Sequence, residues 1–197
     1  MSSASSSARR SDPGVTVTVD AATLEQVFAD CFGQRERTRL VGGAEEPLYL
    51  PATAPGGWHE IHYRADYPAS ALHEVAHWCI AGAARRRLPD YGYWYAPDGR
   101  DAATQRAFEG VEARPQGLEW LFAQACGLPF RLSLDNLDGQ LAADDRERFA
   151  AAVVAEARSW QARGPAGRAG RFLEALTAAF PAGRAVPAMQ FSMAALG

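Results

Sequence analysis

The sequence predicts a single compact α+β domain in which a small mixed β-sheet packs with several helices. Three observations support this fold class. Apolar residues recur at helical spacing in several long segments, as Leu24, Val27 and Phe28 do in the first of them. Short segments that alternate in polarity, or are rich in aromatic side chains, are typical of strands. The 197 residues, 48% of them hydrophobic, are enough for one core and too few for two ordinary domains.

Composition and charge exclude several classes of protein. A net charge of -3 argues against a dedicated nucleic-acid-binding protein, which usually has a strongly basic surface. No apolar run approaches the roughly 18 residues that span a bilayer. Three cysteines without a C-x-x-C pair do not make a disulfide framework. We interpret residues 1–14, rich in serine and alanine, as a disordered extension without a secretory signal, and residues 15–197 as one cytoplasmic domain.

The first half of the chain predicts both helices and strands. Asp20 can cap the first helix and Gly33 can end it, and a basic loop follows. Glycine and proline residues mark the boundaries of the next segments. The predicted elements are a helix over 20–33, strands at 48–50 and 58–63, a helix over about 68–84 and an aromatic strand at 91–95.

The second half is predominantly helical. Asp101 can cap one helix, and Pro115 can open the next because proline is favoured in the first helical turn. Asp144 and Glu147 form a capping box for a later helix. The predicted elements are helices over 102–112 and 115–127, a possible short strand at 130–132, a helix over about 144–163 and a last helix from about 169.

The segment His73-Glu74-Val75-Ala76-His77 places an H-E-x-x-H pattern on a predicted helix. Residues four apart lie one turn above each other, so His73 and His77 can direct two imidazoles at one metal ion. The chain has only four histidines, which makes a chance occurrence of this pattern rare. The alternative is a pair of core histidines satisfied by hydrogen bonds, and we favour the metal interpretation.

A third ligand is needed because two imidazoles alone rarely hold a divalent ion. The following helix offers Glu112, and Glu109 lies one turn earlier on the same face. We favour Glu112, which lies far enough beyond His77 for the chain to return across the site. His59 and His62 lie on a predicted strand, where their side chains point to opposite faces and cannot both bind this metal. A structural or exposed role is favoured for each.

Two histidines and one carboxylate fit two kinds of chemistry. With Zn2+, Glu74 would activate a water molecule for hydrolysis, as in zinc peptidases, and a metal-dependent ribonuclease is a related alternative. With Fe2+, three ligands on one face of the metal leave positions where dioxygen and a C–H bond can meet. The residues after His77 lack the glycine and third histidine of metzincins, which excludes that subclass. A non-catalytic protein with a structural metal is the third possibility.

Several motifs together resemble the elongation factor P hydroxylase family. They are Ala69-Ser70-Ala71-Leu72-His73-Glu74-Val75-Ala76-His77-Trp78-Cys79-Ile80-Ala81-Gly82, Tyr91-Gly92-Tyr93-Trp94-Tyr95, Pro97-Asp98-Gly99-Arg100-Asp101, the stretch from Phe108-Glu109 through Glu112 to Pro115-Gln116, and Asp135-Asn136-Leu137. The likeness covers roughly residues 24–180 and is densest over about 70–139. Because several long motifs occur in the right order, it is far more specific than H-E-x-x-H alone.

The resemblance implies a cytoplasmic non-haem Fe(II) hydroxylase that uses dioxygen as co-substrate. Its partner would be elongation factor P carrying a β-lysylated lysine, which it would hydroxylate, with no direct nucleic-acid or membrane partner. The family's fold is similar to a small metal-dependent ribonuclease fold rather than to a jelly roll. Carried over by position, His73, His77 and Glu112 would be the metal ligands. Glu74 would then orient a ligand or handle a proton.

The implied substrate arm is long and cationic, so its pocket should offer carboxylates and aromatic walls. We expect Asp98, Asp101 and Asp135 to meet its ammonium groups, and Tyr95 to flank its alkyl stem or stack on the cation. The alternatives are turn formation and helix capping for the aspartates and core packing for the tyrosine.

Overall fold

A three-stranded mixed sheet lies against a set of helices in this computed structural model, which describes residues 19–92, 102–133 and 143–196. The strands are β1 (Thr38–Ala44), β2 (Leu48–Leu50) and β3 (His59–Arg64). The sheet order is β1-β3-β2, with β1 parallel and β2 antiparallel to the central β3. The predicted α+β class and mixed sheet are confirmed. The extension predicted over 1–14 lies outside the described residues.

One face of the sheet packs into the core because side chains alternate along each strand. Ile61 on β3 is opposite Leu40 of β1 and Tyr49 of β2, and all three side chains are buried. The strands predicted at 48–50 and 58–63 are therefore confirmed. The basic loop predicted after residue 33 is wrong, since β1 occupies much of it. A pair of glycines, Gly42 and Gly43, lies where the register of β1 shifts, and this obscures the strand pattern.

The helices are α1 (Ala21–Phe28), α2 (Gln34–Glu36), α3 (Pro68–Ile80), α4 (Ala102–Cys126), α5 (Ala143–Arg163) and α6 (Gly167–Ala179). Asp20 caps α1 as predicted, accepting a hydrogen bond of 2.7 Å from the backbone N–H of Thr23. Gly33 does not end the helical segment. A π-helical turn over Ala29–Gly33 leads directly into α2, and Arg37 ends it with a left-handed φ of 45°.

Helix α4 corrects the prediction of two helices separated near Pro115. It is continuous from Ala102 to Cys126, with Pro115 inside it. Proline removes one N–H from the helical ladder, but α4 packs against α3, α5 and α6 and buries Leu118, Leu121 and Phe122. The apolar packing of this stripe therefore outweighs the lost hydrogen bond.

Other predicted boundaries shift or fail. The helix predicted over 68–84 ends at Ile80, and the last helix begins at Gly167, two residues early. Asp144 lies within the first turn of α5 rather than before it. The strand predicted at 130–132 does not form. Tyr91 has a left-handed φ of 58° in a short 3-10 turn, so no strand begins there, and residues 93–95 lie outside the described residues.

An aromatic cluster anchors α3 in the core. The Trp78 ring lies 5.2 Å from that of Phe28 and 4.8 Å from that of Phe32, measured between centroids. The Arg168 guanidinium from α6 lies 4.6 Å from the Trp78 ring centroid. It donates hydrogen bonds to carbonyls at the end of α3, including those of Trp78 and Ala81. These contacts fix the C-terminal end of α3, where helical carbonyls lack intrahelical donors. Within the described ranges, no helix is both long and apolar enough to cross a bilayer.

Close approach of α4 and α5 generates a first prediction. A Cβ at Gly117 would lie 2.8 Å from Cβ of Glu156 and 2.9 Å from the backbone nitrogen of Ala157. We expect Gly117→Ala to lower the free energy of unfolding by about 1–3 kcal/mol, as overpacked cores do. Urea unfolding of the metal-free protein measures it.

The matched control is Gly110→Ala on the same helix. Gly110 is exposed, and a Cβ there meets no heavy atom within 4 Å. Alanine is favoured over glycine in a helix by up to about 1 kcal/mol, so this variant should be slightly more stable. Equal effects of the two substitutions would contradict the close packing of α4 on α5.

Candidate metal centre

Helix α3 presents the two histidines of the H-E-x-x-H segment on one face. The side chains of His73 and His77 lie one turn apart, with ring centroids separated by 4.7 Å. Their Nε2 atoms face each other at 3.1 Å. The other side of the helix buries Leu72, Val75 and Ala76 in the core, so the direction of the two imidazoles follows from the packing of α3.

Helix α4 supplies the carboxylate of Glu112, which is only 2% exposed. Its Oε2 atom lies 3.3 Å from Nε2 of His77 and 3.5 Å from Nε2 of His73. The three ligand atoms lie within 4.8 Å of one another. The sequence-predicted set of His73, His77 and Glu112 is therefore brought together.

The donor set fits a divalent cation. Oε2 of Glu112 is buried and accepts no hydrogen bond from the residues that the structure describes, and a buried polar atom left without a partner costs roughly 1–3 kcal/mol. A metal ion bound between this oxygen and the two Nε2 atoms would satisfy all three. Two imidazoles and one carboxylate are a common ligand set for iron and zinc.

The charges of the cluster are strongly coupled. Burial alone would lower the pKa of His73, but the hydrogen bond to Glu119 and the nearby carboxylate charges raise it to about 10. Burial would raise the pKa of Glu112, yet the charges of His77 and His73 hold it below its usual value. These directions favour a protonated imidazole beside the carboxylate of Glu112, and a cation bound between them would displace that proton.

Glu74 lies on α3 between the two histidines. Burial raises the pKa of its carboxyl group above the usual value, although the charges of His73 and His77 oppose this. No hydrogen bond joins Glu74 to another residue in the described part of the chain. Both roles predicted for Glu74, the orientation of a ligand and the handling of a proton, stay predictions.

Five other predicted residues are not tested by the structure. The side chain of Glu109, the alternative third ligand, is not among those described, although its backbone belongs to α4. The residues predicted to bind substrate also lie outside the described residues; they are Asp98, Asp101, Tyr95 and Asp135.

Sequence reasoning missed Glu119. Its Oε2 lies 2.8 Å from Nδ1 of His73, on the opposite side of the ring from the candidate metal position. Glu119 is only 7% exposed, and burial raises its pKa although His73 opposes this. The available signal was its spacing on α4, where Glu112, Gln116 and Glu119 follow one another at i, i+4 and i+7 in a helix otherwise rich in apolar residues.

The remaining histidines stand apart from this cluster. Nδ1 of His59 accepts a hydrogen bond of 3.0 Å from the backbone N–H of Ala52, and Nε2 of His62 lies 2.8 Å from a carboxylate oxygen of Glu60. Each histidine thus has a local partner within or beside the sheet, as the favoured structural interpretation expected.

Two cavities elsewhere do not coincide with the histidine cluster. One of about 660 Å3 is lined by three arginines, Arg35, Arg37 and Arg86, and by the carboxylate of Glu36, so its net positive charge is unfavourable for a cationic ligand. The other, of about 680 Å3, lies beside β1 and contains Glu25 and Asp66. His73 keeps 19% of its side chain exposed, so the cluster itself is reachable from solvent.

The chain is similar to known proteins over most of its length. The family model described as Elongation factor P hydroxylase matches residues 27–191. The Elongation factor P lysine hydroxylase of Haemophilus influenzae is 43% identical over 152 residues, which cover 77% of this chain and 84% of that protein. The region matched by the family model includes the whole cluster of histidines and glutamates on α3 and α4.

Convergence of three ligand atoms predicts metal binding by the purified chain. We expect His77→Ala to weaken Co2+ binding by more than about 100-fold, because loss of a ligand should exceed the effect of losing an outer partner. Equilibrium dialysis measures the affinity. His62→Ala is the control, since His62 pairs with Glu60 away from the cluster, and it should bind Co2+ as the unaltered chain does. Equal binding by both variants would exclude His77 as a ligand.

His59 predicts a pH dependence of stability. Burial, reinforced by the charge of Arg86, lowers the pKa of His59 below 6.5. The unfolded chain therefore takes up a proton at this residue more readily than the folded chain, and stability should fall as the pH drops below about 6.5.

The variant His59→Asn keeps a hydrogen-bond acceptor for Ala52 but cannot titrate in this range. Urea unfolding at a series of pH values should show a steeper acid loss of stability in the unaltered chain than in the variant. Parallel curves would mean that His59 has the same pKa in both states.

Proposed function

The chain belongs to the elongation factor P hydroxylase family, and from this premise we propose that it hydroxylates the β-lysylated lysine side chain of elongation factor P at an Fe(II) centre, with dioxygen as co-substrate. The observation that carries the proposal is the convergence of His73, His77 and Glu112 within a chain of this family. The name of the Haemophilus influenzae relative supports lysine as the modified residue. A translation factor as substrate would place the enzyme in the cytoplasm.

His73, His77 and Glu112 are the proposed metal ligands. All three come from α3 and α4, and a metal ion held by only three protein ligands would keep coordination positions for co-substrate and substrate. Fe(II) held there would activate dioxygen for insertion of one oxygen atom into a C–H bond of the substrate. The packing of Trp78 and Leu72 in the core keeps the imidazoles in place, so the ligands need little rearrangement on metal binding.

Glu74 is the proposed proton-handling group. Its carboxyl group lies beside the two histidines, and burial raises its pKa, which favours the protonated form compared with an exposed glutamate. A carboxyl group in this state can give a proton at one of its oxygens and take it back later in the reaction. This role differs from that of a hydrolytic base, which must be ionised to activate water.

We place the proposed substrate arm beside His73, whose side chain is 19% exposed. Its ammonium groups would be attracted by the carboxylates of Glu112 and Glu119, whereas the cavity with an excess of arginine over carboxylate would repel them. Asp98, Asp101, Asp135 and Tyr95 are the proposed contacts of the arm.

Intact-mass measurement of β-lysylated elongation factor P tests the reaction. Incubation with the Fe(II)-loaded chain, dioxygen and an added reductant should add one oxygen atom, while the reductant supplies the electron pair that converts the second oxygen atom to water. Isotopically labelled dioxygen should place its label in the product. We expect Glu112→Gln to lower the rate by more than about 100-fold through loss of the metal.

His62→Ala should retain full activity in the same assay and serves as the matched control. A metal-dependent hydrolase is the alternative that uses the same H-E-x-x-H segment. Turnover of peptide or RNA by the Zn2+-loaded chain under nitrogen, without an oxygen-dependent mass gain in elongation factor P, would overturn the hydroxylase proposal.

A further inference from the structure

A second buried carboxylate on α4 contacts the site without approaching the candidate metal position. Oε2 of Glu119 lies 2.8 Å from Nδ1 of His73, while Nε2 of the same ring faces His77 and Glu112. Glu119 is therefore on the outer side of the imidazole. The ring separates it from the position where the three ligand atoms converge.

Imidazole chemistry restricts what this contact can be in a metal-bound chain. If Nε2 of His73 gives its lone pair to a metal, the ring proton must be on Nδ1. An ionised carboxylate only accepts hydrogen bonds, so Glu119 pairs with this tautomer and with no other neutral one. The 2.8 Å separation is typical of a charge-assisted hydrogen bond.

Helical spacing places the carboxylates of Glu112 and Glu119 on the same face of α4. Glu112, Gln116 and Glu119 lie on one face, and all three are buried. Gln116 exchanges two hydrogen bonds with the backbone of Ser133, at 2.9 and 3.1 Å, and so holds the middle of this face in place. Helix α4 thus determines the positions of both the ligand oxygen of Glu112 and the acceptor oxygen of Glu119.

We propose that Glu119 is a positioning residue, which accepts the Nδ1–H of His73 and thereby fixes the tautomer and ring orientation that the metal requires. Glu74 has no comparable contact within the described ranges, although it is adjacent to His73 in the sequence. Carboxylate partners of this kind also make a histidine ligand more basic and strengthen metal binding. The inference rests on the metal ligands of the proposed function and is independent of the reaction that follows.

Metal affinity of the full chain tests this role without an activity assay. We expect Glu119→Gln to weaken Co2+ binding by about 10–100-fold and to alter the visible absorption of the bound ion. Glu119→Asp, which keeps a carboxylate, should recover part of the affinity. Glu25→Gln is the matched control, because Glu25 is a part-buried carboxylate that accepts hydrogen bonds from Tyr63 and Gly42 elsewhere in the fold. It should bind Co2+ normally.

Nitrogen-15 and proton NMR of the Zn2+-loaded, histidine-labelled chain gives a second readout, because a His73 Nδ1–H that is hydrogen-bonded to the Glu119 carboxylate should be shifted downfield and protected from exchange with water. His73 should carry its proton on Nδ1 and bind the metal through Nε2. Metal binding through Nδ1, or unchanged Co2+ affinity in Glu119→Gln, would overturn the proposal for Glu119. An unprotected Nδ1–H in the unaltered chain would also overturn the proposal, so this measurement remains decisive if Glu119→Gln does not fold.

The outcomes separate this inference from the proposed function. Absence of Co2+ binding by the unaltered chain would overturn both. Normal metal binding in Glu119→Gln, together with oxygen-dependent modification of elongation factor P, would overturn only the role of Glu119. Weakened binding in that variant supports the positioning role even if the unaltered chain leaves elongation factor P unmodified.

Discussion

The packing of α3 against α4 is the constraint on which the site depends, because it brings buried charged groups of the two helices into contact with one another. His73 and His77 come from one helix, and Glu112 and Glu119 come from the other. Removing one member of such a buried set leaves an uncompensated charge and costs several kcal/mol. Apolar packing and the contacts between the buried polar side chains must therefore both be satisfied by one alignment of α3 against α4. This requirement makes the site rigid.

Much of the fold follows from local patterns, and the exceptions have physical causes. Periodicity and capping residues predict α1, α3, α5 and α6, since an amphipathic stripe and a cap are properties of a short stretch of chain. The division at Pro115 fails because packing of α4 on three other helices determines its continuity, and no local signal contains that information. Local sequence patterns also fail to predict strand β1. Its pairing with β3 is long-range, and its glycines carry no side chain that would reveal a strand.

Some residues of the candidate site can also be predicted from local patterns, whereas others depend on the fold. The spacing of His73 and His77 is a local property of one helix, and it predicts their convergence directly. A glutamate on a helix is usually exposed, so helical spacing alone does not predict Glu112 as a ligand. Its prediction depended on its distance from His77 in the sequence and on the family resemblance. Glu119 was missed for that reason. Its contact with His73 joins residues 46 positions apart, and only the fold shows that this face of α4 is buried.

The hydrogen bonds from Arg168 to the end of α3 have a consequence for how the chain folds during its synthesis. The hydrogen bond from Arg168 to the Trp78 carbonyl joins positions 90 residues apart, and Arg168 lies near the start of the last long helix. A chain emerging from the ribosome exposes its histidine pair long before this helix exists. Domains fold as units, so the pair becomes rigid only after α6 has been synthesised. Under the proposed function, metal binding in the native geometry would have to wait until α6 has packed against the end of α3.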